Sequence, residues 1–396
     1  MLENDGVTYL LGNQTVSNRP LPPYDDLLCE FAGDLSSELR SHKNAEAHPD
    51  VMTFAFWCRK ANISKLKANF ADGKARLGFG LVFHITPSNV PVNFAFSFAF
   101  GFISGNANIV RVPTSPFPQV DIICEAIERL FEQDKYSEIK AMTAFLRYQR
   151  NDVLTNMLSA NCNARIIWGG DEAIRNIRQS PMRERSVEIV FADRYSFCVM
   201  DASAVVKLDE DELKRLTEGF FNDTYLMDQN ACSSPHLIIW LGDDVQAAKE
   251  KFWTAVARMT AKKYQLADIN AVDKYTLLCR DAIELSDIVS VKKHGNDVYR
   301  VAINNLPDNM DTLRGKCGYF YEYDAANIDV LVHIINDKYQ TITYFGVDKS
   351  LLLDFVIKNR LLGVDRIVPV GDALSVGVVW DGYDVVRSLS RVVDLR

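Results

Sequence analysis

Residues 80–112 read GLVFHITPSNVPVNFAFSFAFGFISGNANIVRV. Gly80–Thr86 is a short apolar run with β-branched and aromatic residues, which predicts a buried strand. Pro91–Ser104 is apolar nearly all round and predicts a buried helix, and Ala107–Val112 predicts a second strand. A strand, a covered helix and another strand imply a crossover connection and a parallel sheet. Outward from this core the pattern continues. Pro118–Gln133 is amphipathic, with Val120, Ile123, Ile127 and Leu130 on one stripe. Ala164–Trp168 reads as a third strand that Gly169-Gly170 turns into a helix, and Val187–Phe191 and Phe197–Met200 are further strand candidates. This predicts a Rossmann-like domain over residues 1–204. A helix at Asp209–Asn222, strands at His236–Leu241, Val298–Ile303, Tyr319–Tyr323 and Thr341–Phe345, and a helix at Ala326–Asn336 predict a second α/β domain over 205–365. Residues 366–396, with Trp380-Asp381-Gly382, read as a return or docking segment.

Composition narrows the function classes. The chain has 396 residues, 48% hydrophobic and 24% charged, which is enough for a sizeable core and excludes a disordered or fibrous chain. The formal charge of −8 speaks against nucleic acid as the main partner. The polar N-terminal stretch does not read as a signal peptide, so the eight cysteines are expected to be reduced thiols in a cytoplasm. The longest apolar stretch, Val90–Ile103, is shorter than the roughly 18 residues a bilayer requires and is interrupted by Asn93 and Ser97. No membrane span is expected. No CxxC pair and no HExxH spacing occur, so no metal site is expected.

Four motifs can carry chemistry. Thr86-Pro87-Ser88-Asn89-Val90-Pro91 joins strand to helix. Ser88 and Asn89 are good helix caps; alternatively, the Asn89 amide is aimed into a cleft at the strand's carboxyl end to stabilise an oxyanion. Arg111 ends the next strand, placed either for a phosphate or ribose or for a surface ion pair. Gly169-Gly170 is a simple turn, or it lets backbone approach a dinucleotide in front of a helix N-terminus. Cys232 lies in Gln229-Asn230-Ala231-Cys232-Ser233-Ser234-Pro235, a loop of small polar residues just before a strand. A reachable thiol there is a candidate nucleophile, whereas the other seven cysteines read as core filler. His236 opens the strand and reads as structural. The apolar helix beyond Asn89 reads as core packing or as the wall of an acyl tunnel.

Gly80–Pro91, Gly105–Arg111 and Asn230–Pro235 in this order resemble the long-chain acyl-CoA reductase family, which includes the reductase subunit of bacterial luminescence systems. Gln340-Thr341, Phe345-Gly346, Gly363–Pro369 and Trp380–Asp384 fit its C-terminal third, so the resemblance covers roughly residues 75–396. It implies the α/β fold of the aldehyde dehydrogenase superfamily: a Rossmann-like cofactor domain, an α/β catalytic domain and a small C-terminal oligomerisation element. It also implies that Cys232 is the nucleophile and Asn89 an oxyanion-hole donor. Arg111, together with Thr86, Pro87, Ser88, Gly169 and Gly170, is implied to contact the cofactor, NADPH or NADH.

The implied reaction is reduction of an acyl-CoA to an aldehyde through a cysteine thioester, in a homo-oligomer, with CoA or an acyl-protein ligase delivering the acyl group. An acyl-phosphate reductase and a cysteine acyltransferase or acyl carrier that uses no nicotinamide are the alternatives. Two features of the superfamily are missing. The water-activating Glu of oxidative enzymes should fall near Val190–Asp193, where Glu188 is two residues off, and the ribose-binding Glu should fall near Leu313–Lys316, where none stands.

Overall fold

The computed structural model describes residues 6–13, 15–88 and 90–396. Asn89 lies outside the described residues. The chain divides into two units, Met1–Ala192 with Val376–Arg396, and Asp193–Ser375.

Unit one runs β1 (Val7–Leu11), α1 (Asp26–Ser41), α2 (Pro49–Trp57), α3 (Lys60–Phe70), β2 (Arg76–Gly78), β3 (Leu81–Ile85), α4 (Asn93–Ile103), β4 (Ala107–Arg111) and α5 (Pro118–Phe131). It continues with α6 (Ser137–Ala141), β5 (Thr143–Tyr148), α7 (Asp152–Asn161), β6 (Ala164–Trp168), α8 (Asp171–Ile177) and β7 (Val187–Phe191). The sheet order is β1-β5-β4-β3-β6-β7, parallel except for the antiparallel edge strand β1. The chain moves outward from β3 through β4 and β5, then returns to the other side of β3 for β6 and β7. The order therefore reverses between β3 and β6, where open α/β sheets bind ligands beyond their carboxyl ends.

The apolar helix is core. Every residue of α4 from Phe94 to Ile103 is buried. Phe96 meets Phe54 edge-on at 5.1 Å, and Phe102 meets Phe31 at 5.2 Å, so α1 and α2 cover it. The void among Phe31, Phe54, Trp57, Phe98 and Phe102 is about 10 Å³, room for about one water and not for an acyl chain.

Unit two contains β8 (Tyr195–Asp201), α9 (Ala202–Lys207), α10 (Glu210–Thr224), β9 (Pro235–Leu241), α11 (Val245–Lys263), α12 (Asp268–Glu284) and β10 (Ile288–His294). β11 (Val298–Ile303), β12 (Tyr319–Ala325), β13 (Tyr339–Phe345), α13 (Lys349–Asn359) and β14 (Arg366–Pro369) complete it. The sheet order is β10-β11-β12-β9-β8-β13-β14, with only β10 antiparallel. An Asp209–Glu212 capping box starts α10. Inside, the Glu322 carboxylate accepts the indole N–H of Trp240 at 2.9 Å and of Trp253 at 2.8 Å, and Arg300 Nε at 2.9 Å. A buried charge this fully paired avoids the cost of an isolated one.

The first unit boundary falls at Ala192/Asp193, not at 204, because β8 pairs with β9 and β13 in the second sheet. The second falls at Ser375/Val376, not at 365. The helix expected at Ala326–Asn336 is only a 3₁₀ turn at Ile328–Leu331. Its apolar residues recur every three positions, a spacing a 3₁₀ turn satisfies as well as an α-helix does.

The chain then returns to unit one. β15 (Val379–Trp380) and β16 (Tyr383–Asp384) form a hairpin turned by Asp381 and Gly382, both left-handed. After α14 (Val385–Ser388), β17 (Ser390–Val392) pairs antiparallel with β2. Val385, Val386 and Leu389 enter the same core as α4. No described helix is long and apolar enough to cross a membrane.

Candidate active site

In unit one, the expected cofactor residues collect at the carboxyl ends of adjacent parallel strands. Thr86 follows β3, Arg111 ends β4, and Gly169-Gly170 follows β6. Thr86 Oγ1 donates to the Arg111 carbonyl at 2.6 Å, which ties two strand ends together. The Arg111 guanidinium lies 4.6 Å over the Tyr148 ring and is half-buried, with no carboxylate in ion-pair contact among the described residues. Ser88 is exposed in a turn, with Pro87 half-buried beside it. Neither Ser88 nor any other described side chain caps α4, which starts at Asn93 with Val92 as its N-cap and no capping bond. Gly169 and Gly170 are not left-handed, and a Cβ added to Gly170 would meet open space. The turn's glycines are therefore not demanded by φ. They keep the backbone uncovered at the point where the strand order reverses.

Behind that edge runs a buried polar chain that the sequence reading did not single out. Trp168 Nε1 donates to Ser97 Oγ at 2.9 Å, Ser97 Oγ meets His84 Nδ1 at 2.8 Å, and His84 Nε2 meets Asn108 Oδ1 at 3.0 Å. Burial pushes His84 down to about 4, partly countered by its bond to Asn108, so the ring is neutral at physiological pH. Trp168 also stacks on Phe191, centroids 3.8 Å apart.

In unit two, Cys232 is exposed on a turn between α10 and β9. Asp228 and Gln229, both left-handed (φ 50° and 60°), reverse the chain into this turn. The buried Gln229 amide then fixes it. Its Nε2 donates to the carbonyls of Pro235 (3.0 Å) and Tyr319 (3.1 Å), and its Oε1 accepts the amides of Gly318 (2.9 Å) and Tyr319 (3.1 Å). Ser234 Oγ donates to the Asp223 carbonyl at 2.7 Å. Ser196 Oγ donates to the Cys232 carbonyl at 2.7 Å and accepts the Thr341 amide at 3.2 Å. None of Gln229, Ser196 and Thr341 was legible as a loop anchor, because Ser196 and Thr341 are distant from the loop in sequence and Gln229 makes three of its four bonds with Gly318 and Tyr319.

His236 is buried against Tyr195, with Nδ1 on the Gly315 carbonyl at 3.0 Å. Burial, followed by the charge of Arg314, pushes it down to about 3 despite that bond. A neutral ring engaged in this way is structural. Among the other cysteines, Cys279 departs from the core-filler expectation: it is exposed on α12. Near the two places where the resemblance would put a Glu, the residues present are engaged in ion pairs. Arg314 Nη1 binds Asp193 Oδ1 at 2.6 Å. In unit one Glu188 is held by Arg165 and by Arg178; burial alone would raise its carboxyl, but those hydrogen bonds hold it below the usual value. Among the described residues, no group of three or more His, Cys, Asp or Glu side chains is placed to hold a metal ion.

The family model described as acyl-CoA reductase (LuxC) matches residues 62–393. A long-chain acyl-protein thioester reductase of Vibrio harveyi is 24% identical over 322 residues, covering 79% of this chain and 63% of that protein. Its namesake from Aliivibrio fischeri is 22% identical over 323 residues, with the same coverage. The chain thus spans under two thirds of the length of these curated relatives. Among solved structures, glyceraldehyde-3-phosphate dehydrogenase GapN of Methanocaldococcus jannaschii, complexed with NADP, aligns with a TM-score of 0.64 at 14% identity, over 93% of this chain and 88% of that one. Aldehyde dehydrogenase 21 of Physcomitrella patens aligns with a TM-score of 0.64 at 11% identity, over 93% of this chain and 86% of that one. The fold is that of the aldehyde dehydrogenases.

Proposed function

Because the chain belongs to the acyl-CoA reductase (LuxC) family, we propose that it reduces an acyl thioester to an aldehyde through a covalent thioester on Cys232. The observation that carries this reading is an exposed cysteine on a turn whose backbone is anchored on both sides. The Cys232 thiolate attacks the acyl carbonyl carbon, and the carbon–sulfur bond to CoA or to a carrier protein breaks. The Cys232 backbone N–H holds the oxyanion, and Asn89 is the second donor that the family resemblance implies; losing one such donor costs about 10²–10³ in rate. The new thioester preserves the reactivity of the old one.

A bound nicotinamide nucleotide, NADPH or NADH, supplies the hydride that turns this thioester into an aldehyde. Arg111, Thr86, Pro87, Ser88, Gly169 and Gly170 are the residues to hold it. Their fit rests on the uncovered Gly170 backbone and on a cation, Arg111, at the edge where the strand order reverses. Glu188 is held by two arginines and Asp193 by Arg314, so neither carboxylate is left unpaired to serve as a base.

The test is direct. Mixed with tetradecanoyl-CoA, the protein gains one tetradecanoyl group on Cys232 by intact mass and peptide mapping; NADPH then discharges it as aldehyde, with loss of nicotinamide absorbance. Cys232→Ala loses both. Full turnover by that variant refutes the reading. Acyl transfer without nicotinamide oxidation identifies an acyltransferase instead. Comparing acyl-CoA with an acyl-protein thioester decides the donor.

A further inference from the structure

Ser196 stands where both neighbouring strands gain a residue relative to β8. On one side Ser196 pairs with Pro235 and Phe197 with Leu237, so His236 is extra in β9. On the other, Tyr195 pairs with Tyr339 and Phe197 with Ile342, so β13 also carries one residue too many. Such irregularities interrupt the ladder and re-aim groups, and they occur next to active sites. Here they release the Thr341 amide from strand pairing, and Ser196 Oγ accepts it at 3.2 Å. With that lone pair occupied, the hydroxyl proton goes to the Cys232 carbonyl at 2.7 Å. Ser196 is fully buried, so no solvent competes for either bond.

The second anchor lies on the other side of Cys232. The Ser234 amide donates to the Ala231 carbonyl at 2.9 Å. Both peptide groups flanking Cys232 are thus held by their oxygens. In a trans peptide the N–H points opposite to its C=O. Holding the Ala231 oxygen toward Ser234 therefore turns the Cys232 N–H away from the loop interior. Holding the Cys232 oxygen toward Ser196 fixes the next peptide, Cys232–Ser233, so the Cys232 Cα is anchored from both sides.

We propose that Ser196 is a positioning residue for the Cys232 reaction: by fixing the Cys232 carbonyl between two irregular strands, it immobilises the Cys232 Cα, which carries the sulfur and is joined to the N–H whose direction the Ala231–Ser234 bond sets. This rests on the reading of Cys232 as the acylated nucleophile. Ser196 does not touch substrate; it acts through the backbone of the loop.

The experiment compares two reactions of one sulfur in the full-length protein. Transfer from tetradecanoyl-CoA needs the oxyanion donor, whereas alkylation by iodoacetamide passes through no oxyanion. For Ser196→Ala, acyl transfer to Cys232 falls roughly 10–100-fold while alkylation changes less than about twofold, since a small misplacement of a catalytic group has that effect. Ser196→Thr, which keeps the hydroxyl, restores acyl transfer to within about threefold. A merely structural role lowers both reactions in proportion to the folded fraction, read by thermal melting, and that result overturns the proposal, as does equal loss of neither. Should Ser196→Ala not fold, Ser196→Cys fills the site with a poor donor and carries the same comparison, its buried thiol distinguished from Cys232 by peptide mass. If the wild-type protein forms no thioester on Cys232 at all, the reading of the nucleophile has failed, an outcome separate from selective loss in the variants.

Discussion

The two units present opposite ends of parallel sheets. In unit one, the candidate cofactor residues lie beyond the carboxyl ends of β3, β4 and β6, where strands turn outward and backbone is left uncovered. In unit two, Cys232 precedes the amino end of β9, in a loop held by side chains of β8 and by Gln229. A carboxyl end offers backbone to a ligand with little side-chain support. The loop at this amino end is instead fixed by a buried hydroxyl, Ser196 of β8, and by the buried amide of Gln229. The first arrangement suits a large, flexible nucleotide and the second a single atom that must not move.

That contrast predicts where substitutions hurt. The largest effect is expected for Gln229→Ala, which leaves the amides of Gly318 and Tyr319 and the carbonyls of Pro235 and Tyr319 without the Gln229 side chain. At about 1–3 kcal/mol for each buried unsatisfied group, and with incomplete additivity, a loss of roughly 4 kcal/mol or more is expected in urea unfolding. A loss below about 1 kcal/mol would mean that side chains do not hold the loop, and the contrast breaks.

Asp223, buried below the same loop, sharpens it. Its carboxylate accepts the amides of Gly371 at 2.7 Å and Ala373 at 2.9 Å. Burial nevertheless pushes its carboxyl up to about 7, with those two amides pulling the other way. A carboxyl raised on folding binds its proton more tightly in the native state. Its contribution to stability is complete below the unfolded value near 4 and is lost as pH rises through about 7. His84 and His236 act oppositely, since their lowered values cost stability as pH falls below the ordinary histidine range. The diagnostic quantity is therefore the difference between wild type and Asp223→Asn. The variant should lack a decline of a few kcal/mol between pH 4 and 7, followed by thermal unfolding at several pH values. Parallel curves would place the titration elsewhere.

The smallest stability effect is expected in unit one. Gly170→Ala adds a methyl group into open space at an ordinary φ, so stability should stay within about 0.5 kcal/mol. If the uncovered turn receives a dinucleotide, NADPH affinity should fall about tenfold, or about 1.4 kcal/mol, by calorimetry. Unchanged affinity would reduce Gly169-Gly170 to a simple turn.

The strands that position both regions were legible because they are short, apolar and bounded by turn residues. Ala164–Trp168 and Val187–Phe191 coincide with β6 and β7, and Gly80–Thr86 brackets β3. Exposure of Cys232 followed from its small polar neighbours. Which sheet a buried strand joins was not legible: Phe197–Met200 looks like any other apolar run, and only long-range pairing assigns it to unit two. The helices α1, α2 and α3 escaped notice because the first residues carry no motif, although Asp25 caps α1 through the Leu27 amide. Ser196 and Gln229 were invisible as anchors for a deeper reason. A buried serine in an apolar strand has no local pattern, and its partners are 36 and 145 positions away.

The placement of the tryptophans has an optical consequence. Trp240 and Trp253 donate to one carboxylate in the interior of unit two, shielded from anything that docks at the surface. Trp168 instead stacks on Phe191 one residue before the Gly169-Gly170 turn. Emission from Trp168 is therefore positioned to register events at the edge of unit one, against a constant signal from the two clamped indoles.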